Sequence, residues 1–504
     1  MSLTDQLNDI INSLGGFGPE VWLAGSFCAL LLIELLLLGR NQRRARRLLA
    51  GLSVLIVLVA GLWAGLSSTR GFLFMHLLFV DKQAIFMQVV VALSAAFVLL
   101  YESLSLQPQN AEIKTKTMPL EWYSLLIAMT LGLFLMTISV NLLSIYLSVE
   151  LVSICSYLLT AFSADRKASE GGIKYLLFGA VSSAIMLYGM SLLYGMTGTL
   201  DLTGDAFGVG LVGQNSAVAV VAMLLTLSGL LFKIAGVPFH IWTPDAYEAA
   251  PVPVAAFFSV APKAAGVLVI LRLVTALPAA SATGEITASV IQTPLAVLAL
   301  AGILIGNLSA LRQTDAKRLL AYSTIAHAGF LLVGVVALNE AGFEAVLFYA
   351  GTYLFISLAA FFLLDLLARS NGSDLTIKNY TGLGSKQPLL SVALTIVMLA
   401  LTGLPPTVGF TAKLLSFSAL YDAYQQTGNG WLLALFGLGL LNALISLVYY
   451  LKIPFLLFFR SAALGSEQTV PISRLAVGLT IGLAIPVVGL FLKPDLLLRL
   501  VSGQ

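Results

Sequence analysis

An all-α polytopic membrane protein is the fold class this sequence predicts, with about fourteen transmembrane helices, two inverted five-helix repeats, and breaks in helices seven and twelve. Three observations predict it. Of the 504 residues 59% are hydrophobic and only 10% are charged, against about 25% charged in ordinary soluble domains, and the mean hydropathy is +0.97. Apolar runs long enough to cross a hydrocarbon core of roughly 30 Å recur from end to end. Basic residues alternate between the connecting loops, as the positive-inside rule requires.

Taken in order, the spans are expected near 20–39, 48–66, 83–103, 120–139, 143–163, 172–196, 216–238, 252–277, 288–310, 319–338, 343–368, 388–419, 430–457 and 471–492. The leading MSLTDQLNDIINSLGGFGPE is polar and acidic and lacks the basic start of a cleaved signal peptide, so the first helix is expected to insert uncleaved. With that end outside, the inside loops hold RNQRRARR (Arg40, Arg43, Arg44, Arg46, Arg47), then Lys114 and Lys116, then Arg166, Lys167 and Lys174. Arg312, Lys317 and Arg318 follow, then Arg369, Lys378 and Lys386, and finally Lys452, Arg460 and Arg474. Of 27 basic residues, 19 fall on this side and five on or near the other. Both termini are expected outside.

Several function classes are disfavoured. The two cysteines, Cys28 and Cys155, lie in apolar runs, and only His76, His240 and His327 supply imidazole. Iron–sulfur ligation usually takes four cysteines. No cofactor, metal or redox centre is therefore expected in this chain, nor any nucleophile–base constellation. The arginine-rich loop at 40–47 reads as a topology determinant, with no nucleic-acid partner, and the lipid bilayer is the expected surroundings. GVGLVG at 208–213 matches a dinucleotide fingerprint, but no strand precedes it, and it reads as chance.

Two spans are interrupted: the seventh by FKIAGVPFH, with Gly236 and Pro238, and the twelfth by ALTGLPPTVGFTAK, with Gly403, Pro405 and Pro406. Proline removes an amide donor and frees carbonyls. At membrane depth that is tolerated only where protein or a water-filled cavity supplies partners, and paired breaks point to a transport site. Lys233 and Lys413 lie 180 residues apart, in spans separated by an odd number of crossings, which predicts inverted repeats. The expected organisation is an N-terminal three-helix segment (1–119), a first repeat (120–278), a second, inverted repeat (279–460) and a C-terminal span (461–504).

Ionisable residues inside the spans are the candidate site, since a charge at the bilayer centre costs roughly 2.5–3.5 kcal/mol even on the lenient insertion scale. Lys233 stands beside the first break, where it either caps freed carbonyls or loads and releases a proton. Glu150, in SIYLSVELVSICSYLL, is its natural carboxylate partner, or else half of a structural ion pair. Lys263 follows Pro262, where a lysine bonded to carbonyls freed by the proline is the structural alternative. Lys413 follows the double proline, and His327 in AYSTIAHAGF reads equally as a core histidine. His240 and Asp245, in HIWTPDAYEAAP, read first as helix caps and second as proton-uptake groups. Lys174 is either a topology signal or a point of proton uptake. A row of lysines, a histidine and a glutamate suits protons, whereas sodium prefers a cage of oxygens.

SVELVSICSYLLTAF, EGGIKYLLFGAVSSAIMLYGMSLLYG, FKIAGVPFHIWTPDAYEAAPVPVAAFFSVAPKAAG, KRLLAYSTIAHAGF and GLPPTVGFTAK together cover spans five to twelve. They resemble the antiporter-like membrane subunits of respiratory complex I, NADH:quinone oxidoreductase. The resemblance implies that Glu150 tunes a central proton-loading Lys233, that Lys263 connects and His327 bridges, and that Lys413 is terminal, facing the outside half-channel. It implies partners among other complex I membrane-arm subunits, and it implies that NAD, FMN, iron–sulfur clusters and quinone are handled by other subunits of the whole complex while this chain moves protons outward. The first three helices, absent from animal forms, point to a bacterial inner (plasma) membrane. Two rivals stay open: a subunit of a multi-subunit Mrp-type cation/proton antiporter, and a proton-silent structural subunit.

Overall fold

The computed structural model describes residues 3–37, 42–105, 119–163, 165–211, 214–277, 288–372, 374–461 and 471–502. Lys114, Lys116, Arg40 and the end of GVGLVG lie outside the described residues. An amphipathic helix, α1 (Leu3–Gly16), precedes α2 (Gly18–Leu37) and α3 (Gln42–Leu66). An antiparallel hairpin, β1 (Gly71–Leu73) with β2 (Leu78–Val80), pairs Gly71 with Val80 and leads into α4 (Lys82–Ser105). This hairpin is the only sheet among the described residues, so the glycines at 208–210 sit in a short helix with no strand before them.

The next helices are α5 (Trp122–Ile138), α6 (Leu142–Ala161), α7 (Arg166–Thr197), α8 (Asp205–Leu211), α9 (Ser216–Ile234), α10 (Trp242–Ala249) and α11 (Val252–Thr275). They are followed by α12 (Ala288–Ala310), α13 (Ala316–Val336), α14 (Glu340–Ser370), α15 (Leu383–Lys386), α16 (Pro388–Thr402), α17 (Val408–Thr427) and α18 (Gly430–Phe459). The chain closes with α19 (Arg474–Leu492) and α20 (Asp495–Ser502). Twelve of these are long and apolar enough to cross a membrane; with the shorter apolar α5 and α16 they account for the fourteen expected spans.

Polar side chains set the starts of the helices. Asn141, Asp165, Asn215, Asp315, Asn339, Asn429 and Ser473 each accept a hydrogen bond from a first-turn amide that would otherwise have no partner. Burial then sorts the bundle. α11 is enclosed on all sides from Val252 to Val274, and α13 and α14 nearly so, which is why their sequences are apolar all round. α2, α3, α7, α18 and α19 keep exposed apolar faces, such as Leu32, Leu36 and Leu62, suited to lipid. α11 packs on α5 and α9 on one side and on α13 and α14 on the other, so it joins the first group of helices to the second.

Both expected breaks are present. α9 stops at Ile234, where Ala235 turns left-handed at φ 61°, and helix resumes at Trp242. α16 stops at Thr402 with Gly403 left-handed at φ 86°, and α17 begins at Val408. The two lysines do not occupy matching positions. Lys233 lies in the last turn of the helix before its break, and Lys413 lies in the helix after its break.

Candidate functional site

A helix that stops inside a bundle leaves carbonyls without intrahelical donors, and something must bond them. At the first break the donor comes from another helix. Lys263, buried on α11, gives Nζ hydrogen bonds to Ile234 O (2.7 Å) and to Thr324 O of α13 (2.9 Å). Trp242 Nε1 donates to Phe232 O at 3.2 Å. The carbonyl-bonded alternative for Lys263 is thus observed, but the carbonyls belong to α9 and α13 and not to its own proline turn. α11 reaches this position because residue 266 is glycine: a Cβ there would lie 2.6 Å from Ile234 Cγ2 and 3.9 Å from Lys233 Cβ.

Lys233 itself is buried, and its Nζ has no hydrogen-bond partner among the described residues. The rings of Phe232, Tyr157 and Tyr175 surround it at 5.4, 5.6 and 5.8 Å. Tyr175 is fixed by stacking on Trp242, centroid to centroid 3.9 Å. Glu150 acts electrostatically on Lys233, yet its Oε1 is buried without a partner, and no ion pair joins the two. The expected partnership is through space only. Glu150 sits half-buried on a stripe of α6 whose neighbours Leu147 and Ile154 are exposed.

The middle of the bundle holds a cluster of hydroxyls around His327. Its Nδ1 shares a hydrogen bond with the Tyr349 hydroxyl at 2.7 Å and its Nε2 with Tyr450 at 3.1 Å. Tyr450 is bonded onward to Ser323, and Tyr353 pairs with Thr324 Oγ1 at 3.2 Å. Ser259, one turn before Lys263, bonds Ser357 at 2.7 Å. Lys263 and His327 are therefore joined through α13, where Thr324 meets the first and lies one turn from the second. The second break closes the row. Lys413 Nζ donates to Leu401 O (3.1 Å) and Thr402 O (2.7 Å), the terminal carbonyls of α16.

At one end of the bundle, Asp245 on α10 accepts from Lys174 (3.0 Å) and from Arg318 (2.8 Å), and Arg318 also reaches Glu248 at 2.7 Å. Lys317 donates to the carbonyls of Glu248 and Ala250. The capping expectation for Asp245 gives way to an ion-pair hub, because α10 lies between the starts of α7 and α13. Burial pushes the Asp245 carboxyl up, but the hydrogen bonds from Lys174 and Arg318 outweigh it and hold the group below the usual carboxylate range. His240 does not act as a cap through Nδ1, which is buried without a partner.

Sequence reasoning missed Tyr349, Tyr353, Tyr450, Ser323 and Thr324. Their signal was weak, hydroxyls inside apolar runs, and only packing gathers them. It also missed the buried carboxylates Glu20, Glu34, Glu102 and Asp365. These bond Gln88, Ser124, Tyr123 and Tyr101 respectively, away from the lysine row. Among the described residues no cluster of His, Cys, Asp or Glu could hold a metal ion.

Residues 139–458 match the family described as NADH:quinone oxidoreductase/Mrp antiporter, transmembrane. NADH-quinone oxidoreductase subunit N 2 of Chloroherpeton thalassium is 36% identical over 499 residues, covering 97% of this chain and 95% of that protein. A chain of respiratory complex I from Thermus thermophilus superposes with a TM-score of 0.77 at 29% identity, over 96% of this chain and 100% of that one. A chain of the Mrp complex from Dietzia sp. gives a TM-score of 0.75 over 96% of each chain, but at 20% identity it shares the fold alone. The chain belongs to the family of antiporter-like membrane subunits of NADH:quinone oxidoreductase and Mrp antiporters, and along nearly its whole length it is similar to subunit N of the former.

Proposed function

We propose that this chain is a proton-translocating membrane-arm subunit of a bacterial NADH:quinone oxidoreductase, built from two inverted repeats, with its termini on the outside of the inner membrane. One observation carries the reading: Lys233, Lys263, His327 and Lys413 are all buried, the lysines at or beside the two helix breaks and His327 between two tyrosine hydroxyls. Intramembrane ionisable groups are expensive, and a row of them is a proton relay by default. Lys233 is the loading site, because a group without fixed partners changes charge with least structural loss. Glu150 sets the field around it. Lys263 passes the proton into the second repeat, His327 and its tyrosines carry it onward, and Lys413 releases it. Lys174 and Asp245 mark the uptake end.

NAD, FMN, iron–sulfur clusters and quinone belong in this reading to other subunits, and the energy released there drives the relay. The test is NADH-driven acidification of inverted vesicles, wild type against Lys233→Met, with NADH oxidation recorded in parallel. Loss of both in an assembled complex supports the reading. If both persist, Lys233 is outside the path. Sodium-dependent exchange without NADH would favour the Mrp-type alternative, for which the shared family and fold speak.

A further inference from the structure

The row is interrupted between His327 and Lys413, and what stands there is an aromatic ring. Both nitrogens of His327 are engaged, by Tyr349 and Tyr450, and no hydrogen bond joins either to Lys413. Lys413 Nζ is engaged by the carbonyls of α16. Phe330, one turn beyond His327 on α13 and fully enclosed, has its ring centroid 6.1 Å from the imidazole and 4.4 Å from Lys413 Nζ. Its other side is held. Phe417, one turn beyond Lys413 on α17, meets Phe330 edge to face at 6.1 Å and leans in turn on Phe436 at 6.0 Å.

Resting on the proton-relay reading, we propose that Phe330 is a gate between His327 and Lys413, latched by the charge on Lys413. Two properties of the ring give it this behaviour. An apolar ring offers no donor or acceptor to a travelling proton and displaces the water that could carry one. Its face also attracts an ammonium group, so a charged Lys413 holds the ring in place. Once Lys413 has given up its proton the attraction is gone, and the ring can turn aside. The gate is then open only when the terminal site is empty. In the transfer, one N–H bond breaks at the His327 imidazolium and one forms at the Lys413 amine, with no change in electron count. A loaded Lys413 cannot receive a second proton or return its own, because the ring is between them.

The experiment uses the whole complex in liposomes. Passive proton influx is driven by an imposed potassium potential without NADH, and NADH oxidation and assembly are measured in parallel. Phe330→Leu keeps apolar bulk and loses the attracting face, Phe330→Ala loses both, and Phe330→Tyr keeps the face. Leucine should raise passive flux about tenfold, the factor that ~1.4 kcal/mol of lost ring–ammonium attraction gives. Alanine should raise it further, and tyrosine should stay at the wild-type level. Adding Lys413→Met to either leaky variant should abolish the leak. Should the alanine complex fail to assemble, the leucine variant carries the test. Unchanged flux in an assembled leucine complex overturns the gate, as does a leak that survives Lys413→Met. The two proposals fail separately: if Lys233→Met abolishes pumping while Phe330→Leu does not leak, only the gate is wrong.

Discussion

The two helix breaks pose the same chemical problem, and the molecule solves it differently in each. At the second, Lys413 bonds the carbonyls freed twelve and eleven residues upstream, Leu401 O and Thr402 O, within its own span. At the first, the lysine beside the break does no such work. Ile234 O is bonded by Lys263 from α11, and Lys233 is left among three rings with no hydrogen bond. One lysine therefore both holds its break together and terminates the proposed path, whereas the other break divides those tasks between two lysines. A buried amine without partners is costly, but a change in its charge disturbs no structural bond. The lesson is that the three lysines, alike in sequence setting, carry unequal structural weight.

Substitutions sharpen that comparison. Lys413→Met and Lys263→Met should be the most damaging to the fold, since the first strands the terminal carbonyls of Leu401 and Thr402 and the second that of Ile234 in an apolar interior. At about 1–3 kcal/mol for each buried unsatisfied group, the losses are about 2–6 kcal/mol for Lys413→Met and about 1–3 kcal/mol for Lys263→Met. Thermal unfolding of the purified complex in detergent would read them, and an unchanged midpoint in either would mean that its lysine is not a cap. Both helix ends are otherwise closed alike, with the Gly236 amide bonded to Leu231 O and the Gly403 and Leu404 amides to Leu399 O.

Gly403→Ala comes next. The residue sits at φ 86°, and an added Cβ would lie 2.7 Å from Lys413 Cδ. About 1–3 kcal/mol is expected for the backbone alone, together with a displaced lysine and slower proton release. Asp245→Asn should cost about 0–1 kcal/mol, as its pairs are a third exposed and screened. Its folded carboxyl is held below the usual range, so the contribution is full above the pKa of the unfolded carboxyl, about 4, and fades as pH falls through the lower folded value. A midpoint difference between wild type and Asp245→Asn that does not shrink as pH falls below about 4 would contradict this. Lys233→Met should scarcely change stability, or should raise it, while abolishing pumping. If it unfolds the protein instead, the contrast between the breaks collapses.

The sequence by itself determined the number of spans, the two breaks and the identity of the lysine, histidine and glutamate positions. The reason is local: apolar run length, loop charge and proline act within one helix or one turn, and a neighbour in the chain suffices to read them. The tertiary structure alone decided who bonds whom. Lys263 and Ile234 are 29 residues apart, and His327 lies 123 residues from Tyr450. Nothing in either segment encodes its partner, because a lysine or tyrosine hydroxyl bonds whichever carbonyl or ring nitrogen helix packing presents. For the same reason the expected Glu150–Lys233 partnership acts through space, without a direct ion pair. Helix spacing allowed it, but α6 turns Glu150 onto its outer stripe, and the aromatic rings packed around Lys233 keep its amine apart.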